Sequence, residues 1–316
     1  MATNQLRDLA GRFLLLLLLA LTQPLTTQSR GLKATTGTGK SFILEQLEGS
    51  EKGQTVKGLH EVKQYLENFG YLNYETSRRF VNDNEFDDLL ESAIKTYQSF
   101  YHLNVTGNLD SKTVEMMMIP RCGVPDIFNG SSSMHGHHHN HSKHFHTVSR
   151  YVFLQGNPKW PAWKTKFTYT FQSSATPVVN LRVQRRACAQ AFKTWAAVTK
   201  FTFKEVPRGA PADIVIGFHR RAHGDNGPFD GRGGVLAHAA APPVGKLHID
   251  ADEDWSTQPS MQQADLESVV VHELGHVLGL GHTPVPQAIM YANYWFGSVK
   301  RNLHQDDIEG IRALYS

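Results

Sequence analysis

Between residues 56 and 118 apolar side chains recur at helical spacing. Val56, Leu59, Val62, Leu66 and Phe69 share one face, and Gly70 is placed to stop the first helix. Phe86, Leu89, Leu90, Ala93, Ile94 and Tyr97 form a second face, with Asp83 or Asn84 positioned to cap it. A Thr106-Gly107-Asn108 turn leads through Leu109 to Asp110, the expected N-cap of a short helix ending at Met116-Met117-Met118. These patterns predict a small helical domain, near the lower size limit for independent stability.

From Tyr151 onward strand and helix patterns alternate. Lys166 to Phe171 predicts a strand with Phe167, Tyr169 and Phe171 on one face. Residues 178–198 predict a long helix whose inner face carries Leu181, Cys188, Phe192 and Trp195. Further strands are expected at 201–206 and 213–218. Residues 305–315 predict a last helix, with Ile308, Ile311 and Leu314 spaced for burial. This order points to a mixed sheet with a parallel tendency.

Two stretches stand apart. A leucine run at 13–21 follows Arg7 and Arg12 and is too short to span a bilayer. It reads as a secretory signal cleaved somewhere in the twenties, since a buried helix would need an amphipathic face. No second apolar segment follows, so neither a membrane span nor a lipid anchor is expected. Residues 127–150 hold almost no apolar side chains but many histidines, including His135, His137, His138 and His139. They read as an exposed linker, or as a tract that binds zinc or copper.

The balance of residues narrows the class. With 40% hydrophobic residues a packed core is available, and a net charge of +3 with acids and bases interspersed argues against nucleic acid as partner. Sequons at Asn104, Asn129 and Asn140 fit export. The two cysteines, Cys122 and Cys188, would allow one disulfide in an oxidising compartment.

Residues 269–282 carry the densest chemistry. His272 and His276 stand one helical turn apart, so their imidazoles leave the same face and can grip one ion. Glu273 stands beside them, within reach of a water at that ion. Gly279 can take the left-handed conformation that ends a helix, which turns the chain back and brings His282 round as third ligand. Three protein ligands leave a fourth position open, the mark of a catalytic zinc. Met290 supplies the downstream methionine turn of the metzincin pattern. A buried helix with incidental histidines would have to explain all of these in register.

This segment resembles that of the matrixins, the matrix metalloproteinases. Three other stretches resemble the same family: Pro120-Arg121-Cys122-Gly123-Val124-Pro125-Asp126, Gly156-Asn157-Pro158-Lys159-Trp160, and the span from His223-Gly224-Asp225 to His248-Ile249-Asp250. The resemblance implies that Cys122, as thiolate, ligates the zinc of the precursor and excludes the catalytic water. A Cys122–Cys188 disulfide is the alternative, although Cys188 falls on an apolar helix face where a thiol acts as a small hydrophobe. The family also implies a structural zinc on His223, Asp225, His238 and His248. It implies calcium on Asp230, Asp250 and Glu253, with carbonyls near Gly231, Gly233 and Val235. The chain departs from the family in a shorter loop at 241–246 and in Ala251, where an acid is common. By the same resemblance, residues 234–239 form an edge strand that takes an extended substrate. Residues after Met290 wall the specificity pocket, with Tyr294 fitting and Ala292 replacing a proline. The resemblance also implies that the mature chain begins at Tyr151, its ammonium docking on the Asp306-Asp307 pair, at Asp306.

The expected organisation is signal 1–29, prodomain 30–126, linker 127–150 and catalytic domain 151–316. The expected fold class is α+β: a zincin-like metzincin domain, a twisted mixed β-sheet with three helices, preceded by a small all-α peptidoglycan-binding-like prodomain. The lack of a propeller domain after Ser316 resembles the plant-type or minimal members. The function implied is a secreted, monomeric, latent zinc endopeptidase with calcium as second cofactor. It would be released by an activating protease and would cut extracellular-matrix or cell-wall proteins. Two other readings stay open: a non-catalytic zinc-binding protein, which would not need Glu273, and a carbohydrate-binding or cell-wall module.

Overall fold

A computed structural model describes residues 44–74, 83–128, 150–173 and 175–316. All lie in one compact unit, Gly37–Ser316. The leucine run, nearly all of the histidine-rich stretch, and the sequons at Asn129 and Asn140 fall outside the described residues. Asn104 is exposed.

The periodic stretch folds as α1 (Leu59–Asn68), α2 (Asp88–Phe100) and α3 (Ser111–Met117). Leu59, Val62, Leu66, Leu90, Ile94, Tyr97 and Val114 meet in its core, each contributing about 1.5–3 kcal/mol by leaving water. Asp110 caps α3 as expected, accepting from Thr113 N at 2.9 Å. The cap of α2 is Asp87, not Asp83 or Asn84: its carboxylate accepts from Leu90 N at 2.7 Å. Asn84 instead accepts from Gly58 N at the start of α1, and Asp83 pairs with the buried Lys63 at 2.6 Å. Leu89 is 52% exposed, because the buried arc of α2 runs through Leu90, Ala93, Ile94 and Tyr97. The same core takes in Ile127, expected in the linker, and Tyr291 from the C-terminal half.

The C-terminal half is built on a mixed sheet. In chain order its strands are β2 (Lys166–Phe171), β3 (Thr202–Glu205), β4 (Ile214–His219), β5 (Val235–Ala239) and β6 (Lys246–Asp250). The order across the sheet is β1-β5-β6-β4-β2-β3, where β1 is Arg121–Cys122. Only β5 and β6 run antiparallel. In the full chain β1 pairs in parallel with β5 and covers the edge expected to take a substrate. β7 (Trp255–Ser256) and β8 (Ala264–Asp265) form a small second sheet.

The helices of this half are α4 (Leu181–Ala196), α5 (Leu266–Val277) and α6 (Gln305–Leu314). Cys188, Phe192 and Trp195 of α4 are buried, but Leu181 in its first turn is 43% exposed. Its outer face carries Arg182, Arg185, Arg186 and Lys193, so the basic residues are less evenly spread than composition implies. In α5 every residue except Glu267 is buried, which makes it the central helix. Trp195 Nε1 donates to Val271 O at 2.8 Å and Trp160 Nε1 to Val277 O at 2.9 Å, locking α5 in place. Ile311 and Leu314 of α6 are buried, while Ile308 is half-buried.

Candidate active site

Helix α5 presents His272, Glu273 and His276, and ends as the glycine predicts: Gly279 has φ of 105°. The reversed chain brings His282 to the other two. His272 Nδ1 donates to Ile289 O, His276 Nδ1 to Leu280 O and His282 Nδ1 to Asp126 Oδ1, each at 2.7 Å. These oxygens fix the tautomers, leaving each Nε2 with a free lone pair. The three Nε2 atoms lie 3.1–3.2 Å from one another, and Cys122 Sγ lies 3.4 Å from His276 Nε2. Lone pairs crowded this closely in a dry interior repel unless a cation lies among them. Three imidazoles and a sulfur are donors that zinc prefers.

Glu273 is fully buried, and neither carboxylate oxygen has a hydrogen-bond partner among the described residues. Burial pushes its carboxyl up to about 8, with the nearby Cys122 thiol offsetting part of that rise. Burial and then the Glu273 charge push the Cys122 thiol well up in turn. A cation among these groups would reverse both shifts. Met290 lies beneath α5, where its Sδ occupies the space a side chain on Gly275 would need. Its turn hangs from α6: Asp307 accepts from Ile289 N at 2.8 Å, Met290 N at 3.0 Å and His304 N at 2.7 Å.

Cys122 reaches the histidines because its strand is clamped on both sides. Arg121 N donates to Gly234 O at 2.7 Å and Gly123 N to Ala237 O at 2.8 Å, along β5. On the other side Cys122 N donates to Ala292 O at 2.9 Å, and Tyr294 N to Pro120 O at 2.7 Å. A side chain at Gly123 would meet Val235 Cγ1 at 2.8 Å and force it to shift, so glycine suits this close approach. Cys122 and Cys188 are both free thiols, each buried in a different cluster, so the disulfide alternative is not formed.

Arg121 and Asp126 of the same segment form a buried pair at 2.7 Å, with the guanidinium 3.4 Å above the Phe69 ring. Tyr71 and Tyr101 hydroxyls donate to Asp126 Oδ2 at 2.7 and 3.2 Å. Burial alone would raise the Asp126 carboxyl, but Arg121 and then His282 hold it well below the usual carboxylate range.

A second cluster brings together His223, Asp225, His238 and His248, with all donor atoms within 4.8 Å of one another. Asp225 Oδ2 lies 2.8 Å from His248 Nδ1, 3.0 Å from His238 Nε2 and 3.1 Å from His223 Nε2. His219, not singled out from sequence, stacks beside them at 4.4 Å from His248 and 4.8 Å from His223. Only its alternation along β4 could have flagged it. Asp230, Asp250 and Glu253 do not converge as closely, yet Asp250 Oδ2 and Glu253 Oε2 are buried without partners. Burial, reinforced by Asp230, raises Asp250 to about 6. Burial also raises Glu253 to about 8, against the Gly233 N–H.

The Matrixin family model matches residues 159–316, and a peptidoglycan-binding domain model matches 55–117. Metalloendoproteinase 2-MMP of Arabidopsis thaliana is 42% identical over 280 residues, covering 84% of this chain and 73% of that protein. Metalloendoproteinase 1 of Glycine max is 44% identical over 269 residues, covering 83% of each.

The chain belongs to the matrixins.

It is a zinc-dependent metalloendopeptidase with a latent, peptidoglycan-binding-type helical prodomain. The similarity extends to the neutrophil collagenase of Homo sapiens, 37% identical over 82% of this chain and 50% of that protein. No helix among the described residues of this matrixin is long and apolar enough to cross a membrane.

Near α6, in the uncleaved chain of this matrixin, the backbone before Tyr151 already reaches the expected carboxylate. Asp306 Oδ1 accepts from Arg150 N at 2.6 Å, whereas Tyr151 packs against Gly310. The other Asp306 oxygen is buried without a partner. Asp307 is fully engaged by the methionine turn, which leaves Asp306 as the available member of the pair.

Proposed function

We propose that His272, His276 and His282 hold the catalytic zinc, that Glu273 is the general base, and that Cys122 closes the fourth position in the precursor. The convergence of those four donor atoms beside an unpartnered, buried Glu273 carries this reading. The metal, when bound, would supply the Lewis acid that polarises the scissile carbonyl and acidifies a water. Glu273 would then take the proton of the attacking water on a carboxylate oxygen and return it to the leaving amine. Ile289 O and Leu280 O keep His272 and His276 oriented throughout, and Met290 forms an apolar floor.

The substrate would be an extended peptide, added to β5 once β1 has left. Gly234 O, Ala237 O, Ala292 O and Tyr294 N, which now hold residues 120–123 of the switch segment (the stretch 120–126 that carries Cys122), would hold it. We read the 1–29 leader and the sequons as marks of a secreted protein acting on matrix or cell-wall proteins, with residues 30–126 as prodomain and 151–316 as catalytic domain. The His223, Asp225, His238 and His248 cluster would take a structural zinc, and its imidazole-rich donor set fits. Asp230, Asp250 and Glu253, with carbonyls near Gly231, Gly233 and Val235, would take calcium. Two orphaned buried carboxylate oxygens fit a hard cation.

Glu273→Ala tests the mechanism. All three histidines remain, so zinc content should be unchanged, while peptide hydrolysis falls by about 10²–10⁴, the usual worth of a general base. Near-normal turnover in the zinc-loaded variant would exclude Glu273 from the role.

A further inference from the structure

His282 differs from its two neighbours in where its second nitrogen goes. Backbone carbonyls of the catalytic half hold His272 and His276, through Ile289 O and Leu280 O. His282 Nδ1 meets a side chain of the prodomain segment, Asp126 Oδ1, at 2.7 Å, and both side chains are 0% exposed. No water competes at such a site.

The acceptor itself is firmly held. Oδ1 also takes Arg121 Nη2 at 2.7 Å, and Oδ2 takes the hydroxyls of Tyr71 and Tyr101. Two tyrosines of the helical prodomain and the switch arginine therefore set the position of a carboxylate whose remaining contact is a metal-ligand candidate.

We propose that Asp126 is a positioning residue for the zinc site, fixing the tautomer and ring of His282 so that the prodomain tightens zinc in the latent chain independently of Cys122. This rests on the reading of His282 as a zinc ligand. Because binding linkage is reciprocal, whatever Asp126 adds to zinc affinity, zinc adds to prodomain docking. Departure of the segment removes the acceptor of His282, so activation loosens the metal as well as opening its fourth position. Loss of such a partner to a metal-bound histidine typically costs about 10–100-fold in affinity.

The test uses the full chain carrying Glu273→Ala, which prevents self-processing, and measures zinc release into a chromogenic chelator. The comparison is with Arg121→Met/Asp126→Ala, which removes the buried pair together and strands no charge. Inertness of Cys122 to a thiol reagent reports that the prodomain is still docked. Release at least about tenfold faster with Cys122 still protected is expected. Equal release from the double variant and the parent would overturn the proposal. Should the double variant not fold, Asp126→Asn decides: its neutral amide is a weaker acceptor, so the His282 Nδ1–H proton resonance of the zinc-loaded chain should move upfield. An unmoved resonance overturns the proposal. A parent chain that binds no zinc in the three-histidine site would instead defeat the underlying site assignment.

Discussion

At Asp306 one carboxylate oxygen accepts the Arg150 N–H while the other is buried and unpartnered. A cut after Arg150 would create an ammonium on Tyr151, one residue further along, a shift of about 3.8 Å for its nitrogen to reach the same oxygen. Exchanging a neutral donor for a charged one, partly shielded from water, would add about 1–3 kcal/mol. Chains trimmed to begin at Tyr151 should therefore be more active than chains beginning two residues later, and Asp306→Asn should erase the difference. Equal peptidase rates from the two trimmed forms would remove any role for the new terminus. At this scale the sequence displays His272, Glu273, His276 and His282 plainly, because their spacing along one helix and turn is itself the geometry. Asp307 and the Asp126–His282 contact are not legible, since both join residues far apart in the chain. His219 is missed because alternation along a strand places a lone histidine on a face without saying which distant histidines it will meet.

Secondary structure was legible wherever one face alone meets the core. β2 has the predicted bounds because Phe167, Tyr169 and Phe171 alternate inward, and α6 follows Ile311 and Leu314. Caps were harder: Asp83, Asn84 and Asp87 crowd one short stretch, and only the fold assigns each to a different donor. That β1 covers the edge of β5 in the full chain was not legible, because the covering strand is supplied by residues more than a hundred positions earlier. The connection between β4 and β5 depends on groups whose charges repel, Asp230, Asp250 and Glu253, and a bound calcium would relieve this. At a free calcium about a hundred times its dissociation constant, binding would add about 2.7 kcal/mol. With about 2–4 °C per kcal/mol for a domain of this size, a calcium-selective chelator should lower the melting temperature by several degrees. Cleavage near Asp230 should also become faster. An unchanged melting curve, with the zinc content intact, would remove calcium from this element.

Across the whole molecule, the prodomain and catalytic domain share packing rather than merely touching. Tyr291 sits in the helical core and rests edge-on against Tyr101 at 5.9 Å, and Leu154 packs with Cys122 and Val124. The segment 120–123 holds the backbone groups proposed to take a substrate, while Cys122 Sγ lies with the three histidine nitrogens where it would be the fourth ligand. The proposed latency thus has two physical parts, a covered β5 and a filled fourth ligand site, and the thiol is the one a single substitution removes. The most direct measurement is the initial rate of peptide hydrolysis by purified full-length Cys122→Ser, without any thiol reagent or added protease, with and without a zinc chelator. Hydrolysis or self-processing that the wild-type precursor lacks, and that the chelator abolishes, is the expected result. A variant as inert as the wild-type precursor, or activity indifferent to chelation, would contradict a cysteine-latched zinc endopeptidase.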